Sequence, residues 1–448
     1  MTEQDRNFRQ MTTASPLRLV IRHSLPTVFA AILPSVAAIA DAFFMSRLGT
    51  DACSAVGIAF PIMAAIQTIG FVFGTGAGSL LSRALGAKKP KEASAIASGA
   101  LFSALVLSLL LSGSGLIFRS SLLRLLGADA ATLPLAKIYV VCLLASAPLL
   151  CASFVLSNLL RAEGHTVWAM AGMATGNLLC VASSPILIFR ANLGVLGAGL
   201  SFPIGYGAAT VILLFPYLFR KSTVFLLSKF HFCAVFEILR NGLPSLFRQG
   251  LTAIAAILLN RAARPYGDAA IAAIALTTRF FLFLYAFSLG VGQGATPVAG
   301  YNFGNGDRDR TSAIYRISLL FACGIAILLA IPTAVFSPFL VGWFRPDSNV
   351  ISYGVPILRA LCVVLPLHGF IAVTNIFLQG LGKPISASLV AAARQGFFFL
   401  PLIFLLPRRF GFTGILLTQP IADALTFLFT VPFAIFLFRE LKKARSKF

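Results

Sequence analysis

The chain has 448 residues, 58% of them hydrophobic and only 11% charged, with a mean hydropathy of +0.90. Soluble domains carry roughly 25% charged residues, so this composition excludes a water-soluble fold and points to a bilayer as the solvent. The net charge of +22 does not mark a nucleic-acid partner, because Lys and Arg are spread over many short connections without one basic face or an aromatic-interleaved groove.

Residues 1–15 are polar and carry both signs of charge, and the apolar run after them is too long for a signal-peptide core. An uncleaved cytoplasmic tail is expected there. A helix needs about 20 apolar residues to cross the roughly 30 Å hydrocarbon core. About twelve stretches are long enough, near 20–45, 53–80, 94–118, 136–160, 167–188, 194–219, 238–262, 269–297, 312–336, 352–378, 385–407 and 413–438. With the N-terminus inside, the loops and tails of that side hold about twice as many basic residues as the other, as the positive-inside rule requires. Lys88, Lys89 and Lys91 follow the second span, Arg220, Lys221 and Lys229 the sixth, and Lys442, Lys443, Arg445 and Lys447 form the tail. A multi-pass protein of the plasma (inner) membrane with both termini cytoplasmic is the expectation. The cysteines Cys53, Cys142, Cys151, Cys180, Cys233, Cys323 and Cys362 lie singly, with no metal-ligand spacing, and read as packing residues.

The shift that carries Gly49 onto Gly267 also places Gly74 on Gly292, Gly76 on Gly294, Gly86 on Gly304 and Gly164 on Gly382. Pro26 falls on Pro244 and Pro148 on Pro366 in the same register. Beyond the fifth span the register shortens by one, placing Gly194 on Gly411, Gly197 on Gly414 and Pro203 on Pro420, as a single deletion in a loop would do. Six spans return the chain to its starting side, so the copies have the same orientation. The expected fold is an all-α membrane protein of about twelve helices in two parallel six-helix lobes, related by a pseudo-two-fold axis along the membrane normal. The segments are a tail at 1–15, a first lobe at 16–220, a cytoplasmic linker at 221–237, a second lobe at 238–438 and a basic tail at 439–448. Two bundles flanking a cavity suit alternating access better than a channel.

Ionisable groups inside spans are costly unless paired or hydrated, which makes each a functional candidate. Two carboxylates lie well within spans, Asp41 in the first and Asp423 in the twelfth, with the arginines Arg248, Arg279, Arg359 and Arg394 and the histidine His368. Asp41 has no opposite charge within a helical turn; it reads as a proton carrier, as a hard oxygen ligand for Na+, or as a helix-end carboxylate solvated near Arg47 and Asp51. Asp423 follows Pro420, which frees backbone carbonyls, and it reads as a coupling group or as the partner of Arg394 or Arg248. His368 reads as a proton relay or a hydrogen-bonded bundle residue. Gly74-Thr75-Gly76-Ala77-Gly78 lacks the Gly-Lys-Ser/Thr of a phosphate loop and reads as close helix packing. No hydrolase triad, His-Glu-x-x-His or ATP site is seen, so no enzyme and no cofactor beyond a coupling ion is expected.

At several points the residues resemble the multidrug and toxin extrusion (MATE) family in its bacterial branch, over about residues 15–440. Ala40-Asp41-Ala42-Phe43-Phe44-Met45-Ser46-Arg47-Leu48-Gly49-Thr50 is similar to the family's first-span pattern, with Ser46 in place of its first Gly. Gln293 to Pro297 with Gly300-Tyr301-Asn302-Phe303-Gly304 resembles its proline and Gly-Tyr-Asn-x-Gly signature, and Arg161-Ala162-Glu163-Gly164 its loop after the fourth span. Phe377-Leu378-Gln379-Gly380-Leu381-Gly382-Lys383, Arg394-Gln395 and Pro420-Ile421-Ala422-Asp423 are similar to a second-lobe pattern.

The resemblance implies exchange of an amphipathic, often cationic organic solute for H+ or Na+ through a cleft between lobes, with Asp41 as the first-lobe coupling residue. Two departures bear on the ion. Where the family often reads Asn-x-x-x-Asp-Pro, this chain has Cys180 and Ser184 before Pro185, and where it commonly has a Thr in the sixth span this chain has Phe202, with Ser201 the nearest hydroxyl. Asn177 shares a helix face with 180 or 181 and 184, and reads as partial compensation or as an interhelical hydrogen bond. One carboxylate with a few neutral oxygens makes a weak Na+ site at Asp41, which tilts coupling toward H+ or moves it to Asp423.

The expected ion-coupling set is Asp41, Asn177, Ser184, Ser201 and Asp423. The expected substrate cavity or second-lobe polar network is Arg248, Arg279, Gln293, Asn302, His368, Gln379, Arg394 and Gln395. The expected partners are a small organic solute and the lipid bilayer, with the monomer as the working unit. Four intramembrane arginines against two carboxylates leave an anionic or zwitterionic solute as an alternative, and a lipid or lipid-linked flippase of related two-bundle architecture is a further one.

Overall fold

The computed structural model describes residues 3–219, 222–226, 228–230, 232–344 and 346–443; Arg220 and Lys221 of the linker and Arg445 and Lys447 of the tail lie outside the described residues. Among the described residues the chain is helical and has no strand. The first half runs α1 (Glu3–Thr13), α2 (Pro16–Ser46), α3 (Thr50–Gly86), α4 (Pro90–Ile117), α5 (Arg119–Leu125), α6 (Thr132–Glu163), α7 (Thr166–Pro185, prolonged by a π-helical turn Ile186–Arg190) and α8 (Gly194–Leu218). The second half runs α9 (Phe232–Ala263), α10 (Asp268–Gly304), α11 (Arg308–Val335), α12 (Ser337–Phe344), α13 (Ser348–Gly380), α14 (Pro384–Ala392, followed by a π-helical turn Ala393–Phe398) and α15 (Phe399–Lys443).

Among the described residues eleven helical stretches are long and apolar enough to cross a membrane, and the last, Pro384–Lys442, has 59 residues. At about 1.5 Å per residue that stretch is nearly three times the roughly 30 Å of a hydrocarbon core. It is interrupted at Gly411 (φ 56, ψ −134), so it supplies two crossings and the total is twelve. The helices outrun the apolar stretches that announce them: α3 has 37 residues, about 55 Å, and its ends continue past the hydrocarbon.

The repeat is visible in the helix boundaries. α3 and α10 start and end in the register of the glycine pairs, as do α4 and α11, and α5 with α12 and α7 with α14 start in it. The slip by one is equally concrete. Gly194, which opens α8, has φ 53, and Gly411, which opens the second crossing of α15, has φ 56, a conformation that costs glycine nothing.

Two compact units result. Unit 1 comprises Met1–Met11 and Leu33–Leu246; unit 2 comprises Thr12–Ile32 and Phe247–Phe448. Helices α2 and α9 therefore each begin in one unit and end in the other. The glycines explain how each start is seated. In unit 1 a Cβ on Gly76 of α3 would run into the Ile238 carbonyl oxygen and lie 2.9 Å from the Gly242 nitrogen of α9. In unit 2 a Cβ on Gly294 of α10 would lie 2.5 Å from the His23 carbonyl oxygen and 2.6 Å from the Ser24 Cα of α2. Backbones this close exclude any side chain, which is the close-packing use of small residues in membranes. Hydrogen bonds complete the contacts: Thr75 and Ser245 hydroxyls at 2.8 Å in unit 1, and Ser24 Oγ donating to the Val291 carbonyl at 3.2 Å in unit 2.

Candidate functional site

Unit 1 gathers its polar groups around Asp41, near the C-terminal end of α2. Three other helices contribute. The hydroxyl of Tyr139 on α6, a buried residue, is within reach of the Asp41 carboxylate, and the Cys180 thiol of α7 is near enough to feel its charge. On α8, Phe202 meets Tyr139 edge to face, with centroids 5.7 Å apart, and stacks with Tyr206 at 6.3 Å and 5°. Close packing of α7 on α8 brings these groups together: a Cβ on Gly205 would run into the Cys180 sulfur, and one on Gly176 would lie 2.7 Å from Ala209.

The other polar groups expected here satisfy themselves locally. Asn177 Nδ2 donates to the Met173 carbonyl at 2.7 Å, and Ser201 Oγ to the Ala198 carbonyl at 2.7 Å. Cys180 Sγ donates to the Ser201 carbonyl at 3.3 Å, and Ser184 is buried one turn further along α7. The groups near Asp41 thus include a phenol and a thiol. Among the described residues no cationic side chain forms an ion pair with it.

Unit 2 gathers a second set. Arg394 and Gln395 project from the π-helical turn after α14, a local widening of the helix that recurs at functional sites. Arg394 Nε donates to Asp423 Oδ1 at 2.7 Å, and Gln419 Nε2 donates to the same oxygen at 2.9 Å. Gln395 Nε2 reaches Gln419 Oε1 at 3.4 Å. The Arg394 guanidinium stands 5.6 Å from the Phe281 ring centroid, and His368 packs edge-on against Phe281 at 5.2 Å and Tyr285 at 4.3 Å. Arg248 Nη1 donates to Asn375 Oδ1 at 3.2 Å, and Asn375 Nδ2 to the Ala387 carbonyl at 2.6 Å. Asp423 Oδ2 and Gln395 Oε1 are buried and accept no hydrogen bond among the described residues, so each retains a lone pair for a donor, and His368 Nδ1 is buried without a hydrogen-bond partner among them.

Arg279 and Arg359 are exposed, Arg359 Nε donating to Ser337 Oγ at 3.1 Å. Asn302 is fully buried, its Nδ2 donating to the Val298 carbonyl at 2.8 Å, and Gln293 and the buried Gln379 lie on α10 and α13. The sequence reading did not single out Tyr139, Tyr206, Gln419, Tyr285 or Asn375. A hydroxyl or amide within an apolar span was the available signal, since each such group needs a partner in the membrane. The shortened register relates the two sets as well, placing Ser201, Phe202 and Tyr206 on Thr418, Gln419 and Asp423.

Comparison with known proteins meets the same repeat. The MatE family model matches residues 26–186 and again 244–405, two copies in the register of the glycine pairs that together cover most of the chain. The chain belongs to the MatE family. Among its MatE relatives, the multidrug export protein MepA of Staphylococcus aureus is 27% identical over 416 residues, 92% of each chain. The multidrug export protein MepA of Staphylococcus saprophyticus is 26% identical over 427 residues, 94% of each. A multidrug resistance MATE family transporter of the MOP superfamily, solved facing outward, matches with a TM-score of 0.91 at 25% identity over 97% of this chain and 98% of that one. A MOP superfamily transporter from Pyrococcus furiosus has the same fold, with a TM-score of 0.91 at 23% identity over 97% and 98% of the two chains. As a MatE protein this chain is a membrane transporter and not an enzyme.

Proposed function

We propose that the protein exports amphipathic, drug-like organic cations in exchange for protons, by alternating access of two six-helix lobes, with Asp41 as the group that holds proton and cargo in turn. The observation that carries this reading is the setting of Asp41: a carboxylate near a buried phenol hydroxyl and a thiol, with no ion-pair partner among the described residues. A carboxylate free of a fixed counter-charge can exchange one positive charge for another.

The aromatic rings support an organic cation as cargo. Tyr139 lies next to the carboxylate and packs against Phe202, which stacks with Tyr206, so an aromatic cluster adjoins the negative charge, a combination that attracts cations with an apolar body. An anionic cargo has less support, because Arg394 is neutralised by Asp423 and Arg279 and Arg359 are exposed. The donor set supports H+ over Na+: a hard cation takes about six oxygens, whereas Cys180 presents sulfur and Asn177 and Ser201 offer only neutral oxygens to supplement one carboxylate. The MepA relatives, named for multidrug export over nearly the whole length, support drugs over lipid-linked cargo. The distribution of Lys and Arg supports cytoplasmic termini in a plasma membrane.

Ethidium flux in proteoliposomes tests this reading. A pH step should drive accumulation, an equal Na+ step should not, and Asp41→Asn should abolish the pH-driven flux while the protein still folds and inserts. Undiminished flux in Asp41→Asn, or flux driven by Na+ alone, overturns it.

A further inference from the structure

The repeat makes one difference between the units informative. In unit 1 the side of α4 near its start is covered by the protein's own chain as it leaves α8. Phe225 N donates to Ser94 Oγ at 3.1 Å, Ser98 Oγ donates to the Phe225 carbonyl at 3.1 Å, and Ser228 N donates to Ser98 Oγ at 2.9 Å. Phe230 closes over Gly99 and meets Phe102 at 5.5 Å.

The equivalent face of unit 2 lies on α11, where the register of the repeat turns Ser94 into Ser312, Ser98 into Arg316 and Phe102 into Leu320. Here there is an open cavity of about 270 Å³, lined by Arg316, Ile435, Phe438, Arg439 and Lys442. Residues 435, 438, 439 and 442 share one face of α15. The Ser312 hydroxyl, counterpart of the one that holds Phe225, is buried (4% exposed) and has no hydrogen-bond partner among the described residues.

The charges say what fits. Arg316, Arg439 and Lys442 form no ion pair among the described residues, and Glu440, the nearest acid in sequence, is engaged by Lys383 at 2.8 Å. The Arg316 guanidinium rests on the Phe438 ring, 5.6 Å from its centroid. Beyond these cations the surface turns apolar, with Leu320, Leu428 and Ile435 exposed. Three unpaired cations at the end of an apolar, exposed surface match a phosphate carried on acyl chains. The protein's own last residues are a poorer match, since Arg445 and Lys447 repeat the charge of the groove.

We propose that this groove binds an anionic membrane phospholipid, its phosphodiester received by Arg316, Arg439 and Lys442, its acyl chains lying along Leu320, Leu428 and Ile435. The lipid occupies in unit 2 the place that the inter-lobe linker occupies in unit 1.

The test uses the full chain in phosphatidylcholine nanodiscs, titrated with fluorescent phosphatidylglycerol. Three surface cations together should be worth at least about tenfold in affinity, so Arg316→Ala/Arg439→Ala/Lys442→Ala should lose that much and Arg316→Gln alone a measurable part. The control Lys88→Ala/Lys89→Ala/Lys91→Ala should bind as the unaltered protein does. Equal binding by the triple variant overturns the proposal, and so does an equal loss in the control, which marks a diffuse surface charge. Displacement by soluble glycerol phosphate at equal concentration overturns the lipid as the occupant. Stronger binding after truncation at Lys443 also overturns it, because the tail then fills the groove.

Discussion

Arg394 Nε donates to Asp423 Oδ1 at 2.7 Å, and the Asp423 side chain is fully buried while that of Arg394 is 16% exposed. Two opposite charges taken out of water this completely hold each other at the cost of desolvation, so the pair specifies geometry more than it adds stability. Removing one partner leaves a buried charge with nothing opposite it. Arg394→Met and Asp423→Leu should each destabilise unit 2 by about 3–5 kcal/mol. The double substitution, which removes both charges, should recover most of that loss. Thermal unfolding in detergent of the two single variants and the double measures the coupling, and a double variant as unstable as the sum of the singles contradicts it.

The glycine repeat makes a second prediction. Gly294 faces backbone atoms of His23 and Ser24, which have no flexible side chain to move aside, whereas nothing lies within 4 Å of a Cβ on Gly324 of α11. Gly294→Ala should therefore cost about 1–3 kcal/mol through overpacking. Gly324→Ala should stabilise slightly, by roughly 0.5–1 kcal/mol, from helix propensity alone. Melting temperatures of the two variants in one detergent should move in opposite directions.

Glu163 is the anchor of the inter-lobe linker. Its buried carboxylate accepts from Tyr217 Oη at 2.8 Å, Ser222 Oγ at 2.6 Å, Thr223 N at 3.0 Å and Thr223 Oγ1 at 3.1 Å. Hydrogen bonds to a charged acceptor are worth about 1.5–3 kcal/mol each. Glu163→Gln keeps the shape but points an amide donor at donors. Amide exchange at residues 222–226 should accelerate by at least about tenfold, with exchange in α13 of unit 2 unchanged. Hydrogen exchange read by mass spectrometry separates these segments.

These three cases divide by how far a sequence reaches. The repeat was legible because a backbone approach or a positive φ admits only glycine, so Gly76 and Gly294, or Gly194 and Gly411, keep register after the surrounding side chains have diverged. The pairing of Arg394 with Asp423 was one of two alternatives the residues allowed, and the π-helical turn at Ala393–Phe398 that aims the arginine has no periodic signature. The role of Glu163 was hidden, since its partners stand 54 to 60 residues away on α8 and in the linker. The short helices α1, α5 and α12 were not expected, because 7 to 11 residues fall below the length of a span. Around Asp41 the aspartate was evident from cost alone, but Tyr139 lies on α6, about a hundred residues on, and only packing brings its hydroxyl to the carboxylate.

That setting gives the last prediction. If H+ coupling follows from the lack of hard oxygen ligands, supplying one should create a response to Na+. Ser184 is buried one helical turn beyond Cys180, on the helix that flanks Asp41, whereas position 180 itself is closed by Gly205 and leaves no room for a larger group. Ser184→Asp adds a second carboxylate to unit 1, one helical turn from the Cys180 that senses Asp41. Two like charges in an apolar bundle repel and should lower the melting temperature in choline chloride. A bound Na+ would relieve them, and a ligand that binds only the folded state stabilises by RT ln(1 + [L]/Kd). Replacing choline with about 100 mM Na+ should thus raise the melting temperature of Ser184→Asp by several degrees, and that of the unaltered protein not at all. A Na+ response of the same size in both proteins would mean that the oxygens already present suffice, and would remove the physical ground for choosing H+.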